Sequence, residues 1–219
     1  MYGKKQHNYK TVYRQAQAEI VEKKSRFIAS VKPVSTEEEA IRFIDEMKSR
    51  YWDATHNVYA YVIGDGNIQR YSDDGEPAGT AGIPTLEVIK KEQLHDVVVV
   101  VTRYFGGTLL GAGGLVRAYG RSAKEGLVAA GIITMQLCDC IQIKSDYTLL
   151  GKIQHEISNS GHIIDGIVYE QDVTINVLVL TEQSDQFIKK MVDITNGRVI
   201  IKKQDTKYIA VDEQGRQLI

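Results

Sequence analysis

The spacing of apolar residues alternates between strand-like and helix-like along the first 134 residues. Ala40, Ile44 and Met47 recur at intervals of four and three, which indicates one face of a helix. Ser35 and Glu38 just before them form the pattern of a capping box, with Ser35 at the N-cap. The elements predicted for this half are a strand at Ala18–Val31, a helix over 36–51, a hairpin of Val58–Ile63 and Asn67–Ser72, a short helix at Pro84–Glu92, a buried central strand at Val97–Thr102 and a helix at Leu115–Ala130 stopped by Gly131.

The pattern restarts near residue 135, after a short linker predicted around 131–136. The predicted elements are a strand at Leu137–Lys144, a helix marked by Leu149, Ile153 and Ile157 that ends near Gly161, a hairpin of Ile163–Tyr169 and Val173–Leu180, a helix marked by Phe187 and Met191 that ends at Gly197, and a strand within Val199–Val211. This β-α-β-β-α-β order is typical of a ferredoxin-like domain. The sequence therefore predicts an α+β protein with one domain at 1–134, built of antiparallel strands with two or three helices, and a second at 135–219.

Composition and charge narrow the class of protein. The chain has 219 residues, of which 43% are hydrophobic and 25% charged, and its net charge is −1. These values indicate ordinary globular domains and give no bulk signal for nucleic acid. No segment resembles a membrane span or a signal peptide, and two cysteines, Cys138 and Cys140, cannot form a secreted-type disulfide framework. We therefore expect a cytoplasmic protein that has no membrane partner.

A glycine-rich loop follows the predicted central strand. Five glycines fall within nine residues, and they are Gly106, Gly107, Gly111, Gly113 and Gly114. Such a run suits close backbone approach or positive φ angles, and the helix N-terminus after it presents free N–H groups that favour an anion. A tight turn that needs glycine for packing alone explains the same pattern equally well.

Cations and aromatic residues flank this loop. Arg117, Arg121 and Lys124 share one face of the predicted helix, and Arg103 ends the strand before the loop. A row of cations beside exposed amides suits phosphate, whereas a solvated helix face is the simpler alternative. Aromatic surfaces for stacking a base are predicted at Tyr104, Phe105 and Tyr119. A further basic segment contains Lys4, Lys5, Lys10, Arg14, Lys23, Lys24 and Arg26.

A second candidate lies in the acidic segment 71–82. Asp73, Asp74 and Glu76 could hold Mg²⁺ or act as acid and base, with His56 approaching them from the start of a strand. An ordinary Asp-Gly turn with solvated carboxylates explains the segment as well, and composition favours it. No Walker, nucleophile-elbow or His-Glu-x-x-His motif is present, and no metal or cofactor site is predicted.

Two long motifs resemble the Impact/YigZ family. They read YSDDGEPAGTAG at 71–82, and VVVTRYFGG at 99–107 followed by LGAGGLVRAYG at 110–120. Earlier segments, EKKSRFIA at 22–29 and ATHNVYAY at 54–61, are similar to the family as well, although Val58 stands where many members carry cysteine. The resemblance covers essentially the whole chain.

The resemblance implies a domain similar to the second domain of ribosomal protein S5, followed by a ferredoxin-like domain. That pair is similar to the last two domains of the translocation elongation factor. The resemblance also implies eukaryotic relatives that regulate translation through a partner of an initiation-factor kinase and that carry an additional partner-binding domain, which we do not expect in this chain. The first hypothesis is therefore a translation-associated protein that contacts RNA or the ribosome through the glycine loop and its arginines. The alternatives are an enzyme acting on a phosphorylated small molecule and a protein-interaction module that uses the acidic segment. We also expect segments 71–82 and 103–114 to lie on the same side of the first domain.

Overall fold

The computed structural model describes residues 8–64, 66–212 and 214–218. The described residues form ten β-strands and five α-helices in two compact units. One unit ends at Met135 and also takes in Ala210–Gln217, and the other spans Gln136–Ile209. The elements up to residue 130 are β1 (Tyr9–Val12), β2 (Ala16–Glu22), β3 (Ser25–Pro33), α1 (Glu37–Arg50), β4 (His56–Ile63), β5 (Ile68–Ser72), α2 (Gly82–Lys91), β6 (Val97–Tyr104) and α3 (Ala112–Ala130).

The first unit is built on an antiparallel sheet with the order β2-β3-β6-β4-β5. Val97, Val99 and Val101 of β6 pack against α2 and α3 on one face, while Val98 and Val100 pack against α1 on the other. Because both faces of the sheet are covered, its central strand is an unbroken apolar run rather than an alternating one. The prediction of a buried central strand is confirmed.

The prediction of one long strand at Ala18–Val31 is wrong, because β2 and β3 form a tight hairpin. Glu22 pairs with Ser25, so the loop contains only Lys23 and Lys24, whose φ angles are 45° and 68°. Positive φ at both positions is the geometry of a two-residue hairpin turn, which Asn and Gly normally favour. Two lysines carry no such signal. Lys23 and Lys24, which were predicted in the middle of a strand, therefore lie at the tip of a hairpin.

The cap of α1 lies one residue later than predicted. Thr36 is the N-cap and accepts a hydrogen bond from the Glu39 backbone at 3.3 Å, while the Glu39 carboxylate accepts one from the Ser35 backbone at 2.7 Å. The arrangement resembles a capping box, except that the Glu39 carboxylate reaches the N–H of Ser35, the residue before the N-cap. The shift is possible because Ser-Thr-Glu-Glu-Glu offers two overlapping registers. The helix itself is confirmed.

The remaining elements lie wholly or mostly in the second unit. They are β7 (Ile132–Ser145), α4 (Tyr147–Asn159), β8 (Ile163–Tyr169), β9 (Val173–Leu180), α5 (Ser184–Thr195) and β10 (Ile200–Val211). Strand β9 lies between β7 and β8, and β10 pairs with the other edge of β7. Both helices pack against one face of this sheet. The predicted linker around 131–136 is instead the start of β7, which pairs with β1, a strand that the sequence did not predict.

These observations confirm an α+β protein with antiparallel sheets. The hairpins, the short helix α2 and the ends of α3, α4 and α5 lie close to their predicted positions. Gly131 and Gly161 have φ angles of 75° and 70°, as expected of residues that end helices. Strand β6, which precedes the glycine-rich loop, lies between two helical layers, and α3, which follows the loop, belongs to one of them.

Candidate functional site

Segments 71–82 and 103–114 meet on the same side of the first unit, as predicted. They line a cavity of about 430 Å³. Gly75, Glu76 and Pro77 come from the first segment, and Arg103, Phe105 and Leu109–Ala112 come from the second. Thr55, His56 and Leu115 complete the lining. The two candidate motifs of the sequence therefore belong to a single composite site.

A buried polar network forms the base of this cavity. One oxygen of Glu76, Oε1, accepts a hydrogen bond from Arg103 Nη1 at 2.5 Å and another from the Tyr119 hydroxyl at 2.8 Å. The Arg103 guanidinium also lies over the rings of Phe27 and Phe105, at 5.4 and 5.6 Å from their centroids. Burial raises the pKa of Tyr119, and the Glu76 carboxylate raises it further, so the hydroxyl remains a donor.

Two residues predicted to contact RNA, Arg103 as an anion ligand and Tyr119 as a stacking surface, belong to this network instead. Arg103 is only 5% exposed and Tyr119 is fully buried, so neither is an open surface for phosphate or for a stacked base. Arg103 was predicted to end the strand before the loop and to bind an anion there, but Glu76 from the acidic segment neutralises its charge. Tyr104 is half-buried, and its hydroxyl donates to Asp53 at 2.8 Å. Phe105 stays 46% exposed at the cavity.

The three carboxylates of the acidic segment bind three separate sets of partners. Asp73 accepts hydrogen bonds from the backbone N–H groups of Gly79, Ala81 and Gly82 at 2.8–3.0 Å. Asp74 accepts one from the Asn57 backbone at 2.6 Å and pairs with Lys48, while Glu76 holds Arg103. Among the described residues no group of three acidic, histidine or cysteine side chains is arranged for a metal ion. The segment is a structural turn as well as a wall of the cavity.

Asp73→Asn is expected to lower the free energy of unfolding by about 2–3 kcal/mol at pH 7, because an amide oxygen accepts more weakly than a carboxylate. Burial acts to raise the pKa of Asp73, but the hydrogen bonds from Gly79, Gly82 and Ala81 outweigh it and lower the pKa. The carboxylate therefore stabilises the fold fully above about pH 4 and loses that contribution as the pH falls through the folded-state pKa. In urea unfolding, the difference in free energy of unfolding between wild type and Asp73→Asn should be larger at pH 7 than at pH 3.

Asp45→Asn is the matched control for that prediction. Asp45 is exposed on α1, and surface substitutions usually change stability by less than about 0.5 kcal/mol. Equal losses in the two variants at pH 7 would contradict the role assigned to Asp73.

The glycine loop is shaped by two different requirements. A Cβ atom at Gly106 would lie 2.1 Å from the Lys24 carbonyl carbon, so only glycine allows this approach to the β2–β3 turn. Gly111 precedes α3 with a φ of 73°, a left-handed value that disfavours other residues. Gly107 and Gly113 are exposed and Gly114 is half-buried. Packing thus explains part of the glycine content, and the exposed glycines leave the start of α3 open to solvent.

Arg117 and Arg121 are exposed on α3 and line a second cavity of about 220 Å³ together with Lys23. We name Lys23, Arg117 and Arg121 the α3 basic surface. In the part of the chain that the structure describes, none of these three side chains is in an ion pair, although Glu22 also lines the cavity. Lys124, which the sequence placed with them, pairs with Glu92 at 2.8 Å. Lys4 and Lys5 of the predicted basic segment lie outside the described residues.

His56 is positioned by the acidic segment. Its Nδ1 lies 2.7 Å from the Asp74 carbonyl oxygen, and its Nε2 lies 3.9 Å from Glu76 Oε2. Because a carbonyl can only accept, Nδ1 carries the proton and Nε2 is the free acceptor in the neutral ring. The approach of His56 to the acidic segment is as predicted.

Comparisons with known proteins identify the class of this two-unit α+β protein. Residues 23–127 match the family model "Impact N-terminal domain", and residues 143–198 match "Domain of unknown function (DUF1949)". The IMPACT family member YvyE of Bacillus subtilis (strain 168) is 47% identical over 93% of this chain and 94% of its own length. The IMPACT family member YigZ of Escherichia coli (strain K12) is 34% identical over 80% and 87%. The chain belongs to the IMPACT family.

A solved structure described as "Crystal structure of an hypothetical protein" is similar along the same length. It is 28% identical, covers 91% of this chain and 98% of its own, and superposes with a TM-score of 0.58. None of the helices in the described part of the chain combines the length and apolarity that a membrane span requires.

Proposed function

We propose that this chain is a translation-associated RNA-binding protein that contacts RNA or the ribosome through the α3 basic surface. The observation that carries the proposal is the convergence of Lys23, Arg117 and Arg121 around one surface cavity. Three solvent-facing cations without acidic partners in the described structure suit phosphate oxygens. The overall charge of −1 means that attraction to RNA must come from such a local patch.

The translation role rests on the resemblance of the two domains. We propose that the first domain, over 1–134, is similar to the second domain of ribosomal protein S5 and that the second, over 135–219, is ferredoxin-like. In the second unit, β9 separates the two strands of the β7-α4-β8 unit, and β7 separates those of the β9-α5-β10 unit. This is the split β-α-β arrangement. Such a role places the chain in the cytoplasm.

The geometry gives less support to the two alternative functions. An enzyme that uses the acidic segment to hold a metal needs convergent carboxylates, but Asp73, Asp74 and Glu76 are engaged with the backbone, Lys48 and Arg103. An acidic docking site needs free surface charge, but Glu76 is 7% exposed. The RNA-binding proposal uses side chains that remain open to solvent.

The proposal is tested by titrating ribosomes and single-stranded RNA with the protein at 50 and 200 mM salt. Each phosphate contact should contribute about 0.7–0.9 to the slope of log affinity against log salt, so three contacts give a slope of about −2 or steeper. Co-sedimentation at low salt that disappears at high salt is the expected result. Absence of binding at low salt, or a slope near zero, would contradict RNA binding by this surface.

A further inference from the structure

The large cavity is lined by Glu76, one of whose carboxylate oxygens accepts no hydrogen bond from the described residues. The Glu76 side chain is 3% exposed, and Oε1 accepts both hydrogen bonds from Arg103 and Tyr119. Oε2 lies 3.9 Å from His56 Nε2. Because Oε1 takes both internal donors, Oε2 is left as an acceptor for a group that enters the cavity.

His56 supplies a second acceptor beside the first. The Asp74 carbonyl fixes the proton on Nδ1, which leaves the lone pair of Nε2 facing Glu76. Two acceptors 3.9 Å apart are close enough for one amino group to donate an N–H to each. The pair therefore selects a ligand group that carries at least two donor hydrogens.

The surroundings favour a neutral, flat and largely apolar ligand. Phe105, Leu109, Leu110 and Leu115 form the apolar wall, and Phe105 and Leu109 are 46% and 83% exposed. Because Arg103 already neutralises the Glu76 carboxylate, a buried ammonium would leave a net charge in the cavity. The volume of about 430 Å³ lies in the range of about 300–1,000 Å³ of small-ligand sites.

This cavity borders the α3 basic surface. Leu110 lines both cavities. Gly111, which precedes α3, and Ala112 of its first turn line one cavity, and Gly114 lines the other. A ligand that fills the apolar cavity therefore has cations next to it. Phosphate beside a flat ring with an amino group is the chemistry of a nucleotide.

We propose that the cavity of Glu76, His56 and Phe105 is a subsite for an unstacked nucleobase with an exocyclic amino group. The amino group donates to Glu76 Oε2 and His56 Nε2, the ring lies on Phe105, and the adjoining phosphates contact Arg117 and Arg121. Carboxylates accept from the amino group of cytosine in the same way, and single-stranded RNA is commonly recognised by splayed bases. This inference rests on the proposed RNA-binding function.

The test compares fluorescein-labelled RNA hexamers of cytidine and uridine by fluorescence anisotropy at pH 7.5. The two bases differ at C4, where cytosine has an amino group and uracil an oxygen that the carboxylate would repel. Wild type should bind the cytidine hexamer roughly 5- to 150-fold more tightly. Glu76→Gln presents an amide N–H₂ where Oε2 stood and should reduce or invert that preference.

Phe105→Leu is the second variant, because Glu76→Gln alters a buried pair and could fail to fold. Loss of stacking on the half-exposed ring should weaken cytidine binding roughly 5- to 150-fold while the salt slope is unchanged. Unchanged affinity in Phe105→Leu, or an undiminished cytidine preference in folded Glu76→Gln, would overturn the subsite. Equal binding of both hexamers by wild type, with the salt slope intact, overturns the subsite and leaves RNA binding standing. Binding of neither hexamer overturns both proposals.

Discussion

Glu76→Ala is expected to lower the free energy of unfolding by about 3–5 kcal/mol, which is the usual cost of removing one partner of a buried ion pair. The substitution leaves the Arg103 guanidinium buried between Phe27 and Phe105 with no carboxylate to compensate its charge. It also removes the acceptor of the buried Tyr119 hydroxyl. Chemical denaturation at pH 7, followed by circular dichroism, measures the loss.

Glu87→Ala is the matched control for Glu76→Ala. Glu87 pairs with Lys90 at 2.7 Å, a separation close to that of the buried pair. The side chains of Glu87 and Lys90 are, however, both about half exposed. An exposed pair contributes only about 0–1 kcal/mol, so the control should be nearly as stable as wild type. A loss below about 1 kcal/mol for Glu76→Ala would contradict the burial assigned to this network.

Replacing both partners separates charge from packing. Glu76→Leu combined with Arg103→Met leaves no uncompensated charge and should be less destabilising than the sum of the two single changes. If the double variant loses as much free energy of unfolding as the two single variants together, the two side chains contribute independently.

Much of the fold could be predicted from the sequence because its strongest signals are local. The valine run of β6, the apolar face of α1 and the glycines after α3 and α4 each identify an element without reference to the rest of the chain. The β2–β3 hairpin could not be predicted, since its turn is made of Lys23 and Lys24 rather than Gly or Asn. The glycine loop packs against that turn, because Gly106 approaches the Lys24 backbone closely and its N–H donates a hydrogen bond to the Ser25 hydroxyl.

The sequence could predict which segments form the candidate site, but it could not predict which side chains contact one another within it. The glycine loop and the acidic segment stand out by composition, and they do meet. The burial of Arg103 depends on Glu76, which lies 27 residues away in sequence, and no local pattern reports such a pair. The same holds for Lys23, which approaches Arg117 and Arg121 only because the hairpin turns at that residue. Whether a side chain is exposed depends on its neighbours in space. For that reason Arg103 is part of a buried ion pair, and Lys23 belongs to an exposed basic surface.

Arg117→Ala combined with Arg121→Ala is expected to weaken RNA and ribosome association while the fold stays intact. Both side chains are exposed on α3 and belong to no ion pair in the described part of the chain, so their loss should cost less than about 0.5 kcal/mol of stability each. Each lost phosphate contact should reduce the salt slope by about 0.7–0.9, which gives a total reduction of about 1.4–1.8. Lys23 remains, so residual binding is expected.

Arg42→Ala combined with Arg50→Ala is the charge-matched control. Both arginines are exposed on α1, which packs against the opposite face of the first sheet from α3. This variant changes the net charge by the same amount but leaves the α3 basic surface whole. Its affinity and salt slope should remain close to those of wild type.

RNA binding at the α3 basic surface is best tested by the slope of log affinity against log salt, measured for wild type and both double variants with one single-stranded RNA. We expect a slope flattened by about 1.4–1.8 for Arg117→Ala with Arg121→Ala and no change for Arg42→Ala with Arg50→Ala. A folded Arg117/Arg121 variant with the affinity and slope of wild type would contradict RNA binding at the α3 basic surface.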